Sequence, residues 1–442
     1  MLKSNLTRKT ITPFYYGWVI VFIAALGIFF SGPGQTYSVS MFIDSYILEF
    51  GWSRSYVSSL YSMGTLAAGM ILPLVGRLVD RFGSRIMVTA LAAVFGLVCL
   101  YMSTVGSPLM LLIGFLLVRL LGQGSMTLTS STLVPQWFVQ KRGRALSLMV
   151  LGGTISSAAV PLINTWLIRA FDWRLGWQVW GILLWAIMVP MAWFLIRNRP
   201  EDLGLSPDNI TDQAAKAPEE KSPKPDITST GVSQEDDAWT VGEAMRTRSF
   251  WLLMFCTTIP AAVNTGLTFH LTSIMRSSGF SLDFAPIMAA LVLSTVALTQ
   301  LPFNFVAGFL ADKYKPHYLV AAAFAGQLLS LIFLLFLRSP SQAIAFGVLW
   351  GVLHGFYAIN NGVIWPSYFG RRYLGSIRGM AMTAMVIGSA FGPLPFGIAF
   401  DFFNGYREIL MLSMLFPILG FVAALNSPAP KHGAVSHAEG NL

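Results

Sequence analysis

The sequence predicts an all-α membrane protein with twelve transmembrane helices, arranged as two pseudo-symmetric six-helix bundles. Hydrophobic residues make up 55% of the chain and charged residues only 11%, whereas a soluble domain carries roughly 25% charged residues. Apolar runs of about 20 residues are long enough to cross a hydrocarbon core of roughly 30 Å. Because every backbone amide must be satisfied internally in that core, the runs are expected to be helices.

The twelve apolar runs divide the chain into two halves. Residues 1–196 form the predicted N-terminal half, 197–249 a polar cytoplasmic linker, and 250–442 the C-terminal half with a short tail. The first run continues past the length of a signal-peptide core, so no cleavable signal is expected. The predicted spans are 16–39, 55–75, 86–104, 108–134, 144–168, 176–196, 250–273, 284–308, 317–337, 341–366, 377–400 and 407–426.

Basic residues predict the orientation of the chain. The net charge is +9, and most Lys and Arg fall in the tail, the linker and the short loops on the side of the N-terminus. Only a few, such as Arg54 and Arg276, fall on the other side. This bias predicts a multi-pass protein of the cytoplasmic membrane with both termini in the cytoplasm. The charge is therefore a topology signal, and nucleic acid is not an expected partner.

No pattern typical of an enzyme is found. The sequence lacks a P-loop, His/Cys metal spacing and a serine nucleophile elbow. Cys99 and Cys256 both fall inside predicted spans, where they are expected to pack as small apolar residues. We therefore expect neither a cofactor nor a metal, and no catalytic residue.

Two basic loops resemble each other. Residues 76–85 and 308–315 each begin with Gly and carry Asp four residues later, followed by a basic residue. Such a repeat is typical of a transporter built by duplication. One interpretation is that these loops close the cytoplasmic side as gates; the other is that they only set topology. The predicted gating residues are Asp80, Arg81, Arg85 and Asp312.

Polar side chains along the spans predict a central site. Arg119 lies deep in span four, where burying an arginine costs at least about 2.5–3.5 kcal/mol, so it must face protein or water. It could attract an anionic substrate, or it could bond to carbonyls and hold span four to span one. His354 could carry a proton or be a satisfied hydrogen-bonding group. The predicted substrate-binding residues are Arg119, Gln123, Asn264, Gln300, Asn304, His354, Tyr357 and Asn361.

These loops and spans resemble the major facilitator superfamily, whose signature is similar to residues 76–85. Within it, the nearest resemblance is to the monocarboxylate and oxalate/formate antiporter group. The segments that carry this second resemblance are 16–18, 49–54, 137–143, 199–205 and 243–251. The resemblance implies two six-helix halves that rock about a central site, and an architecture that works as a monomer.

One position departs from that group. Its carboxylate-transporting members generally have an arginine in span eight, about one turn before the glycine of the loop, where this chain has Asn304. Either Arg119 substitutes for that arginine from the other half, or the substrate is not a simple monocarboxylate.

The sequence thus predicts a secondary active transporter for a small, monocarboxylate-like organic anion, embedded in the lipid bilayer, with proton coupling left open. The first alternative is an exporter of neutral or amphiphilic compounds, which the aromatic-rich spans and the absent arginine favour. The second is a transporter-like sensor, which would bind its ligand without moving it.

Overall fold

A computed structural model describes residues 14–138, 141–209, 239–370 and 374–430. All regular secondary structure in these ranges is helical. The membrane helices are α1 (Gly17–Phe50), α2 (Arg54–Phe82), α3 (Ser84–Met102), α4 (Pro108–Trp137), α5 (Arg142–Ala170), α6 (Trp173–Leu195), α7 (Arg248–Ser277), α8 (Ala285–Lys313), α9 (Pro316–Leu335), α10 (Pro340–Phe369), α11 (Leu374–Phe391, continued by Pro393–Phe403) and α12 (Arg407–Leu425).

The predicted all-helical membrane fold is confirmed. In the part of the chain that the structure describes, eleven helices are long and apolar enough to cross a bilayer. The remaining predicted span, 341–366, lies within α10, where several side chains are outside the described residues. Asn361 is one of these, and the side chains of Asp80 and Asp312 are also outside the described residues.

α1 is longer than predicted and is interrupted. Helix Gly17–Phe30 is followed by a 3₁₀ turn at Gly32–Gly34 and then by helix Thr36–Phe50. The predicted end at residue 39 was wrong because the acidic residues beyond it do not stop the helix: Asp44 is buried in ion pairs with arginines. α1 ends only at Gly51, whose φ of 67° is a conformation that glycine adopts without strain.

α4 contains a stretch of π-helix, Arg119–Met126, between two α-helical segments. π-Helical turns inside α-helices are rare and occur frequently at functional sites. Within this stretch, the Ser125 hydroxyl donates to the carbonyl of Leu120. Arg119, the one basic residue predicted to lie deep inside a span, is therefore the first residue of the irregular part of α4.

The buried apolar side chains form two clusters. One draws on α1–α6 with Phe269 of α7, and the other on α7–α12 with Met41 of α1, Trp239 and Ala244. Within each cluster, glycines allow close helix contacts: an added Cβ at Gly152 of α5 would lie 2.0 Å from the carbonyl oxygen of Ala25 in α1. Small residues of this kind replace the missing hydrophobic driving force between helices in lipid. The exact division at 196 and 250 stays a prediction.

In the part of the chain that the structure describes, most contacts between the two halves come from three helix pairs: α1 with α7, α2 with α11, and α5 with α8. We call the side of the bundle that carries the described chain ends the terminal face, and the other side the opposite face. The loops at 51–53, 278–284 and 404–406 lie on the opposite face. Gly397 of α11 packs there on Ser58 of α2, where an added Cβ would be 2.8 Å from the hydroxyl.

Candidate functional site

Arg119 lies against the break in α1. The side chain is only 4% exposed, and its Nη1 donates to Thr36 Oγ1 at 3.1 Å and to the Gly34 carbonyl at 3.4 Å. Its guanidinium carbon lies 5.1 Å from the centre of the Tyr61 ring, and the Tyr61 hydroxyl is 2.9 Å from Thr36 Oγ1. The arginine is thus held by a ring, a hydroxyl and a carbonyl.

No carboxylate of the described residues forms an ion pair with Arg119, and its Nε has no hydrogen-bond partner there. Buried arginines in membranes are ordinarily paired with an acid or with several backbone carbonyls. Arg119 therefore retains a positive charge and a free donor inside the bundle. An anion is the group that would satisfy both.

The polar face of α4 continues beyond Arg119. Gln123 Oε1, Thr127 Oγ1 and Ser130 Oγ are all buried without a hydrogen-bond partner among the described residues. Ser130 is packed on α1, since an added Cβ at Gly27 would meet its hydroxyl at 2.2 Å. Gln123 and Thr127 are half-buried. The α4 face therefore offers an amide and hydroxyls along one line from the arginine.

Asn264 and Tyr357 belong to a network within the second half. Asn264 Oδ1 accepts from Trp350 Nε1 at 3.1 Å and from Gln327 Nε2 at 3.4 Å. The Tyr357 hydroxyl donates to Gln327 Oε1 at 2.9 Å. Gln327, in α9, is 1% exposed and joins the other members. Sequence reasoning missed it, although a single glutamine in an otherwise apolar span was a usable signal.

His354, Gln300 and Asn304 have no such network. His354 stacks edge-on against Trp350, with ring centres 5.4 Å apart. Its Nε2 and the Oδ1 of Asn304 are buried without a partner among the described residues. Gln300 is half-buried on α8, one turn before Asn304. Gln300 and Asn304 both lie on α8, and α8 packs along α10, which carries His354.

α7 connects the two groups of residues. The Tyr61 ring, which lies over Arg119, contacts the ring of Phe269 at 4.5 Å between centres. Phe269 is five residues from Asn264, which corresponds to about 7.5 Å along a helix. Tyr61, which contacts the arginine of the first half, therefore meets α7 within two turns of Asn264, which belongs to the amide network of the second half.

The predicted gating loop is bound within its own half. The backbone N–H of Arg85 donates to Asn198 Oδ1 at 2.9 Å and its Nε to the Trp193 carbonyl at 2.8 Å, both near the end of α6. Arg81 is exposed beside the Phe82 ring. Among the described residues, neither arginine bonds to the second half, so a latch between the halves stays a prediction.

The fold and these sites can now be set beside known proteins. The sequence model of the Major Facilitator Superfamily matches residues 17–393 and, in a second overlapping match, residues 273–441. The chain belongs to the Major Facilitator Superfamily. The resemblance seen in the sequence is therefore confirmed at the level of the superfamily.

Two superfamily relatives match most of the chain. The "probable sulfoacetate transporter SauU" of Cupriavidus necator is 23% identical over 414 residues, which cover 88% of this chain and 91% of that protein. The "multidrug resistance protein MdtG" of Yersinia enterocolitica is 24% identical over 411 residues, which cover 89% of each chain. Other relatives match less: the chain spans 36% of the length of a Bacillus subtilis transporter of uncharacterised role.

A solved superfamily structure has the same fold. The crystal structure of a D323A mutant of the nucleoside transporter NupG aligns with a TM-score of 0.69 at 14% identity. The alignment covers 92% of this chain and 98% of NupG. The two-bundle arrangement of helices is therefore that of the superfamily.

Proposed function

We propose that this chain is a secondary active transporter that moves a small, monocarboxylate-like organic anion across the cytoplasmic membrane by alternating access. The observation that carries the proposal is Arg119, a buried cation without an acidic partner among the described residues. The similarity to a protein named as a sulfoacetate transporter supports an organic anion as cargo. The protein would act as a monomer with both termini in the cytoplasm.

We assign roles in binding the substrate to residues of the candidate site. Arg119 would bind the anionic group and substitute for the arginine that Asn304 replaces. The amides of Gln123 and Asn304 and the ring of His354 would bind the rest of the substrate, because each has an unpartnered buried atom. Asn264 and Tyr357 are already bonded to Gln327, so we assign them to shaping the site.

Uptake into proteoliposomes tests the proposal. Purified protein would be given labelled lactate, pyruvate or sulfoacetate, with and without an inward proton gradient. We expect saturable uptake of at least one of them. Removing a charged hydrogen bond costs about 1.5–3 kcal/mol, so Arg119→Gln should slow uptake about tenfold or more. Arg119→Lys keeps the charge and should retain more activity than Arg119→Gln.

Arg338→Gln is the matched control, because Arg338 lies in an exposed loop. Its uptake should equal that of the parent. The anion assignment is wrong if Arg119→Gln, in folded protein, transports each of these anions as fast as the parent. Stimulation by the proton gradient would establish proton coupling, and His354→Gln would then test whether that ring carries the proton.

The second candidate is an exporter of neutral or amphiphilic compounds. The similarity to a protein named for multidrug resistance favours it. The candidate site also favours it, because most of its unpartnered buried polar atoms belong to uncharged side chains and only one belongs to Arg119. Expression would then protect cells from toxic compounds, and none of the three anions would be taken up or compete.

A further inference from the structure

Four charged residues from both halves meet at the opposite face. Asp44 of α1 lies 2.8 Å from Arg54 Nη1 of α2 and 3.1 Å from Arg276 Nη1 of α7. Asp44 and Arg54 are both less than 10% exposed. Asp401 of α11 is the fourth member, and we call this set the opposite-face cluster. Asp44 is thus shared between an arginine of its own half and one of the other half.

Asp401 binds the beginning of a helix in the other half. Its carboxylate accepts from the backbone N–H groups of Arg54 at 3.2 Å and Ser55 at 2.9 Å. These are first-turn amides of α2, which have no partner within their own helix. A carboxylate at that end is also attracted by the helix dipole. Arg54 stacks on the ring of Phe400, next to Asp401 in sequence.

A second layer of contacts lies just inside the cluster. His270 of α7 is 3.3 Å from the Ser58 hydroxyl of α2, 2.9 Å from the Pro393 carbonyl and 3.2 Å from the Tyr406 hydroxyl. Gly397 packs on Ser58 beside it. Behind the charges, the two halves are therefore in direct contact.

We propose that the opposite-face cluster is a gate that holds the two halves together and must break when the central site opens to the opposite face. The pairs Asp44–Arg276 and Asp401–α2 cross between halves and would separate. The pair Asp44–Arg54 stays within the first half and keeps Asp44 from being left unpaired. This arrangement lowers the cost of opening, because no carboxylate is left buried alone.

The position of Asp44 makes the gate movable. It lies on Thr36–Phe50, the part of α1 that follows the 3₁₀ turn at Gly32–Gly34. This segment contacts α7, which carries Arg276. A rotation at the turn would therefore carry Asp44 away from Arg276 while Gly17–Phe30 stays packed on α5.

The gate can be tested without a substrate. Ser62 of α2 is 4% exposed and lies one turn beyond Ser58, so Ser62→Cys reports opening of the seam. The background would carry Cys99→Ala and Cys256→Ala, so that the introduced cysteine is the only thiol the reagent can label. Both native thiols are buried. The measured quantity is the rate at which a charged maleimide labels the new thiol in purified, monodisperse protein.

We expect Arg276→Gln and Asp401→Asn each to speed labelling about tenfold, which corresponds to about 1.4 kcal/mol of lost closure. Asp283→Asn is the control, because Asp283 is an exposed carboxylate on the same face, and its rate should match the parent. Arg276→Lys and Asp401→Glu should fall between parent and neutral variant. Parent-like rates in both neutral variants would refute the gate, whatever the cargo of the protein.

Discussion

At the scale of single residues, buried polar groups form hydrogen bonds between helices, which in lipid have no hydrophobic driving force to associate. Asn164 of α5 is fully buried. Its Nδ2 donates to Ser38 Oγ of α1 at 2.8 Å, and its Oδ1 accepts from Trp180 Nε1 of α6 at 2.6 Å. One amide therefore links three helices, and both partners would be left unsatisfied without it.

Replacing this amide should destabilise the first half. Interhelical hydrogen bonds in membranes contribute about 0.6 kcal/mol on average and at most about 1.7, so Asn164→Ala should cost about 1–2 kcal/mol. Thermal unfolding in detergent measures the loss. Ser157→Ala on the same helix is the control, since that hydroxyl bonds only within α5. Equal melting temperatures for the two variants would contradict the assignment.

At the scale of helices, glycines set how closely α1 and α5 approach. The carbonyl of Ala25 would lie 2.0 Å from a Cβ added to Gly152, and both atoms belong to rigid helices rather than flexible side chains. The two helices must move apart to admit even a methyl group. At Gly308 of α8, an added Cβ meets nothing within 4 Å.

These two glycines predict opposite results for the same substitution. Gly152→Ala should lower stability by about 1–3 kcal/mol, the usual cost of overpacking. Gly308→Ala should be neutral or stabilising by roughly 0.5–1 kcal/mol, because alanine loses less backbone freedom in a helix. Thermal unfolding of both variants against the parent gives the comparison, and a stable Gly152→Ala protein would show that α1 and α5 are not in tight contact.

Helices could be located from the sequence better than their irregularities. Apolar length alone indicates a membrane helix, so the spans were predictable. The extension of α1 to Phe50 was not, because it depends on Arg54 and Arg276 burying the charge of Asp44, and these contacts come from other helices. The π-helix at Arg119–Met126 has no signal in the sequence.

The candidate site was predicted in part for a similar physical reason. Arg119 stood out because a charge inside an apolar run must be explained. One of the two interpretations was that Arg119 holds span four to span one. Its bonds to the break in α1 could not be predicted without knowing where Gly34 lies. Likewise, only the arrangement of α7, α9 and α10 in space shows that Gln327 bonds to both Asn264 and Tyr357.

At the scale of the whole molecule, α2 and α11 form a seam between the halves, and the proposed alternating access would have to open it. Near its middle, an added Cβ at Gly69 of α2 would lie 2.9 Å from Val386 Cγ1 of α11. Disulfides form between Cβ atoms about 3.5–4.5 Å apart. The two positions are therefore close enough for a bond between the halves.

A cross-link there should stop transport reversibly. In the protein carrying Gly69→Cys and Val386→Cys, we expect oxidation to abolish uptake and a reductant to restore it, because the halves could no longer rock. Each single variant should be insensitive to the oxidant. Full uptake by the oxidised double variant, with the cross-link verified by mass spectrometry, would argue against movement along this seam.

The contact between Arg119 and the break in α1 links affinity to shape. The guanidinium donates through Nη1 to Thr36 Oγ1 and to the Gly34 carbonyl, and its Nε has no partner among the described residues. An anion that binds Nε, as proposed, would therefore lie on the same guanidinium that holds the break in α1. If Arg119 binds the anion as proposed, occupying the site and moving the outer half of α1 would be coupled equilibria, and such coupling is reciprocal. A change that fixes the outer half of α1 would then alter the affinity for the anion by the same factor by which the anion shifts the equilibrium of that segment. How tightly such a carrier binds would thus be decided partly by the stiffness of a three-residue turn.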